Sequence, residues 1–136
     1  MRAVADTNIL ISGLLFGGLP RKLLDHATAQ GVTLATSEEL LEELRDKLAN
    51  KFHFDGADTA QFLQKIRQIA EIASPRFRLH AVPDDEDDNR VLECAVAAGA
   101  EFIVSGDNHL LRLGSYQKIY IVTVRQFLQT AGFRLD

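Results

Sequence analysis

The stretch Met1-Arg2-Ala3-Val4-Ala5-Asp6-Thr7-Asn8-Ile9-Leu10 decides how the rest of this chain is read. A short apolar run over residues 3–5 ends on a carboxylate, followed at once by a hydroxyl and an amide. Such a run reads as a buried strand that delivers Asp6 to the edge of a sheet. In open α/β sheets, ligands sit beyond the carboxyl ends of the strands. Asp6 is therefore the first wall of a candidate site, and later segments must supply the others.

Working outward, residues 8–16 carry Ile9, Leu10, Ile11, Leu14 and Leu15, a mostly apolar helix broken by Gly17-Gly18. Pro20 suits the first turn of a second helix reaching Gln30, with Gly31 as its stop. Residues 32–35 read as strand two. Thr36 and Glu39 have capping-box spacing for a helix to about Ala49, with Leu40, Leu41, Leu44 and Leu48 on one face. Asp58 and Gln61 open another helix, whose spaced Phe62, Ile66, Ile69, Ile72 and Ala73 carry it to Ser74-Pro75. Residues 77–82 alternate as an edge strand closed by Pro83. After the acidic run Asp84-Asp85-Glu86-Asp87-Asp88, residues 89–98 form a helix stopped by Gly99. Residues 101–107 repeat the opening design, an apolar strand ending on Asp107. A helical turn over residues 108–112, a loop at Gly114-Ser115, a strand over residues 119–122 and a helix capped by Thr123 and Gln126 complete the chain. Strands alternating with helices at this pitch indicate a parallel sheet covered on both faces.

The 136 residues suit one domain, spanning residues 1–136, with a real hydrophobic core. No apolar run approaches the ~20 residues that span a bilayer. Met1 leads almost directly into the first strand, which leaves no room for a signal peptide. A single cysteine, Cys94, allows no internal disulfide and fits a cytoplasmic location. The net charge of −4 argues against binding nucleic acid by bulk positive charge. It is compatible with an enzyme that clusters acids around a metal.

Asp6 and Asp107 each end a strand, Asp88 begins a helix, and Glu43 lies about two turns into the helix after strand two. Gathered together, such acids repel, and burial raises their pKa values. A divalent cation removes the conflict, and Mg²⁺ or Mn²⁺ prefers oxygen ligands. One such ion, or two, can act on a phosphodiester. No His/Cys spacing for zinc is present. Each acid also has an ordinary duty available: a turn for Asp6, a solvated helix face for Glu43, helix capping for the acidic run and for Asp107. The repeated strand-then-Asp context, with an acid cluster between, favours the site. Thr7, Asn8 and Ser105 stand where they could hydrogen-bond the carboxylates or metal waters. His109 reads as a loop histidine and Cys94 as core.

Asp6-Thr7-Asn8, residues 37–44 (SEELLEEL), Asp85-x-x-Asp88-Asn89-Arg90-Val91-Leu92-Glu93-Cys94-Ala95 and Ile103-Val104-Ser105-Gly106-Asp107 resemble the successive motifs of the PIN (PilT N-terminal) domain. The resemblance covers nearly the whole chain. It implies a three-layer α/β/α fold with a central parallel sheet of four to five strands. It implies an acid cluster that binds Mg²⁺ or Mn²⁺, and hydrolysis of single-stranded RNA, often by a homodimer. The acids it carries over are Asp6, Glu43, Asp88 and Asp107, with Asp85 in reserve. Many members are toxins held inactive by a small antitoxin; nothing in these residues shows that this chain is one.

The expectation is a metal-dependent endoribonuclease. Asp6, Asp88 and Asp107 hold the metal, Glu43 is a further ligand or orients the attacking water, and Arg21, Lys22, Arg45 and Lys47 are the candidate backbone contacts. One rival is a non-catalytic RNA-binding or regulatory module on the same fold. Another is an aspartyl phosphatase resembling the haloacid-dehalogenase family, which wants an Asp two residues after the nucleophile, where this chain has Asn8.

Overall fold

Ala3, Val4 and Ala5 are fully enclosed, and the strand they form sits in the middle of the molecule. The computed structural model describes residues 1–27, 31–81 and 85–135. Its strands are β1 (Arg2–Ala5), β2 (Thr33–Ser37), β3 (Ala70–Ala73), β4 (Phe102–Val104), β5 (Ser115–Tyr116) and β6 (Ile119–Val122). They make one sheet in the order β3-β2-β1-β4-β6-β5. All neighbours run parallel except the β5–β6 pair. The helices are α1 (Thr7–Leu15), α2 (Gly18–His26), α3 (Glu38–Asn50), α4 (Gly56–Ile69), α5 (Glu86–Ala98), α6 (Asn108–Leu113) and α7 (Val124–Thr130).

Side chains alternate across a strand, so each strand feeds two cores. Ala3, Ala5, Leu34 and Val104 face Leu10, Leu23, Leu44, Leu48, Ile66 and Phe127, from α1, α2, α3, α4 and α7. Val4, Ala35 and Ile103 face Val91, Leu92, Cys94 and Ala95 of α5, and Leu110 of α6. This is the expected three-layer α/β/α arrangement. The order also fixes a switch point. The chain steps outward from β1 to β2 to β3, then returns to the other side of β1 as β4. The crevice at the carboxyl ends of β1 and β4 is where such sheets bind ligands.

Several boundaries differ from the sequence reading. β2 runs on through Thr36 and Ser37, because both pair with β3, at Ile72 and Ala73. The cap of α3 therefore moves from Thr36 to Ser37, whose Oγ accepts from the Leu40 amide at 3.2 Å. Asp55 rather than Asp58 caps α4. The helical spacing through Ala73 is coincidental. Residues 70–73 leave the helix and become β3, which supplies β2 with the partner that an exposed edge lacks. Residues 77–81 of the expected edge strand are irregular, and Val82, Pro83 and Asp84 lie outside the described residues. The Leu79 amide donates instead to the buried Glu93 carboxylate at 2.7 Å, which ties this segment to α5. α2 ends at His26, short of the expected Gln30, and residues 28–30 again lie outside the described set. The loop expected at Gly114-Ser115 holds the short β5, turned onto β6 by Gln117 and Lys118, both at positive φ. That is the two-residue hairpin geometry usually marked by Asn-Gly.

Leu44 is fully buried on α3, beside Glu43 in sequence, and packs the larger core. Leu44→Ala should cost about 2–5 kcal/mol, measured by urea denaturation with an unchanged slope. A loss below about 1 kcal/mol would mean that α3 is not anchored as described.

Candidate metal centre

The site starts from the register of β1 against β4. Ala5 pairs with Val104, and the Asp6 amide donates to the Val104 carbonyl at 3.1 Å. Asp6 leaves the sheet just there and caps α1, its Oδ1 accepting from the Ile9 amide at 2.9 Å. Ser105, the next residue on the neighbouring strand, donates through Oγ to Asp6 Oδ2. The same Oγ accepts from the Asp107 amide at 2.9 Å. One hydroxyl thus couples Asp6, just past β1, to Asp107, expected to end a strand but lying three residues beyond the end of β4. Asp107 in turn caps α6, accepting from the His109 and Leu110 amides.

The third acid group comes from the start of α5. Asp85 caps the helix, its Oδ1 accepting from the Asp88 amide at 3.1 Å. Asp88 is one turn in and 6% exposed. Among the described residues its enclosed Oδ2 receives no donor; the hydrogen-bonding contacts of this carboxyl group are with the Asp107 and Asp85 carboxylates, which can share a proton or a cation with it. Single ligand atoms of Asp85, Asp88, Asp107 and His109 lie within 4.8 Å of one another. Asp6, Thr7, Asn8, Glu43, Lys47, Asp87 and Val91 line the cleft together with Asp85, Asp88 and Asp107, a space of about 180 Å³.

The electrostatics follow from burial. Enclosure pushes Asp6 above the ordinary carboxylate value, although the bonds from Ser105 and Ile9 pull it back. Asp88 is pushed up to about 8, first by burial and then by the charges of Asp107 and Asp85. Glu43 is pushed up to about 7 by burial, with Asp87 adding to the rise and Thr7 and Lys47 opposing it. Carboxyl groups held this far above their ordinary values are short of positive charge. A buried carboxylate oxygen that receives no donor among the described residues, further carboxylates within reach and an oxygen-rich donor set fit a hard divalent cation such as Mg²⁺ or Mn²⁺.

The fold, the switch-point cleft and this donor set agree with one comparison. A family model described as PIN domain matches residues 2–109. The chain belongs to the PIN domain family. Comparison with curated proteins found no match. PIN domains are in general metal-dependent nucleases, and the acidic cleft is compatible with that chemistry. β6 and α7 lie beyond the matched segment of the PIN domain, yet β6 pairs with β4 in the same sheet.

The residues singled out from sequence fall into two groups. Asp85, Asp88 and Asp107 converge at the switch point; Asp6, bonded by Ser105, lines the same cleft but stands outside that close group. Glu43 lines the same cleft from α3, but its oxygens face Thr7 and Lys47: Thr7 Oγ1 donates to Oε2 at 2.6 Å, and Lys47 Nζ stands 3.9 Å from Oε1. Thr7 therefore serves Glu43 rather than Asp6. Asn8 accepts from Lys47 at 3.3 Å. Of the candidate backbone contacts, Lys47 lines the cleft, whereas Arg21 is bonded to the carbonyls of Gly13 and Leu14 at the end of α1.

Sequence reasoning missed three things. His109 joins the acid group, its Nδ1 3.9 Å from Asp85 Oδ2. Its position two residues after Asp107, on the turn that Asp107 caps, was the available signal. Asp87 approaches Glu43 across the cleft, a contact between α5 and α3 that no spacing in the sequence marks. Glu93, 1% exposed, binds Arg78 and Arg90 at 3.2 Å each. An acid between Leu92 and Cys94 on an apolar face marks such a buried pair.

Asp88 ionises near 3.8 when unfolded and holds its proton to about 8 when folded. Between those values the folded state binds the extra proton, so stability falls as pH rises. Glu43 acts in the same direction up to about 7. The protein stripped of metal should therefore melt lower at pH 8 than at pH 5. Asp88→Asn should raise the pH 8 melting temperature and flatten the trend. A variant less stable than its parent at pH 8, by scanning calorimetry in EDTA, would contradict this electrostatic picture.

Proposed function

We propose that this chain is a metal-dependent endoribonuclease that hydrolyses phosphodiester bonds of single-stranded RNA. The observation that supports the reading is the enclosed Asp88 Oδ2, which receives no donor among the described residues, set among converging carboxylates at the switch point. Helix capping alone does not account for a buried carboxylate oxygen that, among the described residues, meets only other carboxylates. Membership of the PIN domain family supports the nuclease class.

Asp6, Asp85, Asp88 and Asp107 would hold Mg²⁺ or Mn²⁺, with His109 at the rim. The ion would supply positive charge to the phosphodiester and make water more acidic. Ser105 fixes the orientation of Asp6. Glu43 is the water-orienting group: bonded by Thr7 and pushed up to about 7, it accepts a proton at Oε1 near neutral pH. Lys47 is poised beside it. A larger groove of about 770 Å³ shares Glu43, Lys47 and Asp87 with the cleft and brings Lys51, Arg78 and Arg90 alongside. Glu39, Glu42, Asp46 and Glu86 line the same groove, and Arg78 and Arg90 are paired with Glu93, so Lys51 is the basic group there that is placed to meet a substrate phosphate. Resemblance to the family alone supports two further features, a homodimer and restraint by a small antitoxin.

Asp6→Asn should abolish Mn²⁺-stimulated cleavage of a single-stranded RNA while keeping the parent's circular dichroism. Ser105→Ala, which frees the Asp6 carboxylate to rotate, should lose about 10–100-fold. Both are read by gel assay of an end-labelled oligoribonucleotide. An Asp6→Asn variant that cleaves as fast as its parent would sink the reading and favour the non-catalytic module. Capture of a phosphoaspartate mimic by beryllium fluoride would favour the phosphatase, although Asn8 at its acid position is already engaged by Lys47.

A further inference from the structure

The nuclease reading, on which this inference rests, leaves the number of ions in the cleft undetermined. We propose that Lys47 fills the Glu43 end of the cleft as a built-in cation, a positioning residue that limits the cleft to one divalent ion and keeps Glu43 out of metal coordination.

The contacts of the ammonium carry the argument. Lys47 Nζ donates to Thr7 Oγ1 at 2.7 Å and to Asn8 Oδ1 at 3.3 Å, and it stands 3.9 Å from Glu43 Oε1. A hydroxyl, an amide carbonyl and a carboxylate around one positive centre are the oxygen donors that a hard metal ion also takes. Here they surround nitrogen. The arrangement is held from both sides. Lys47 follows Glu43 by one helical turn on α3, and Thr7 Oγ1 donates to Glu43 Oε2 at 2.6 Å while it accepts from Lys47. The lysine side chain is 27% exposed, so its charge is partly desolvated and acts on its neighbours with reduced screening.

The other end of the cleft is built differently. Among the described residues no lysine or arginine pairs with Asp85, Asp88 or Asp107; the one basic neighbour is His109. Asp88 Oδ2 is enclosed and receives no donor among these residues. Positive charge is thus supplied by the chain at one end and missing at the other. In two-ion phosphoryl-transfer sites the ions stand ~3.5–4 Å apart and share bridging ligands. A second ion on the Glu43 side would have to displace the ammonium from Thr7, Asn8 and Glu43 and would be repelled by it if it stayed. Glu43, already oriented by Thr7 and Lys47, is left to face water.

The test is the stoichiometry of Mn²⁺ binding to the full chain, by calorimetry with electron paramagnetic resonance to detect coupled ion pairs. The parent should bind one Mn²⁺ up to millimolar concentration. Lys47→Met should bind two, with the second site lost in Lys47→Met/Glu43→Gln. Lys47→Arg, which restores the charge, should return to one. A parent that binds two ions, or a folded Lys47→Met that still binds one, would overturn the proposal. If Lys47→Met fails to fold, the parent count still decides: two ions overturn the proposal. A parent that binds no Mn²⁺ would sink the nuclease reading and this inference with it, whereas two ions in the parent would sink this inference alone.

Discussion

Parallel pairing of β1 with β4 is the constraint from which the site follows. The register that sets Ala5 against Val104 leaves Asp6 and Ser105 side by side where the two strands end. Asp107 then stands two residues further on, held to the same Ser105 hydroxyl. The sheet would gain nothing from placing two acids together. The hydrophobic strands fix the distance, and the side chains at their ends inherit it.

The like-charge conflict that results is met in two ways within one cleft. On the α3 side the chain brings its own ammonium and a hydroxyl wedge. On the α5 side it brings two more acids and leaves one enclosed oxygen that receives no donor among the described residues. The helix caps matter here. Asp6, Asp85 and Asp107 each cap the helix that follows them, so each carboxylate is anchored through one oxygen to a backbone amide. For Asp85 and Asp107, the second oxygen accepts from no amide among the described residues and can face the cleft. Capping and metal binding are thus complementary duties of one carboxylate, not rival explanations of it.

What could be read from the sequence divides along the same line. Elements fixed by their own apolar period, such as β1, β4, β6, α5 and α7, stand close to where the pattern puts them, because local burial alone decides them. Asp6 was legible as a strand-end acid for that reason; Asp107 was expected to end its strand, but β4 stops at Val104 and Asp107 stands three residues on, as the cap of α6. β3 was not: residues 70–73 continue a helical spacing, and only the need of β2 for a neighbour makes them a strand. β5 was hidden because Gln117 and Lys118 take a turn that sequence usually announces with glycine. The cap at Ser37 rather than Thr36 is a consequence of the same β2–β3 pairing. In the site, His109 follows from its place on the turn that Asp107 caps, but the placement of Lys47 and Asp87 depends on how α3 and α5 lean toward one another. No spacing along the chain records that.

The central claim is that carboxylates distant in sequence form one pocket that takes a divalent ion. Crystals grown in MnCl₂ and measured at the manganese absorption edge test it most directly. The account predicts an anomalous peak in the cleft, within about 2.0–2.3 Å of Asp88 Oδ2 and bounded by Asp107. A map with no peak there, or one showing Asp88 Oδ2 satisfied by a lysine or arginine instead, would contradict it.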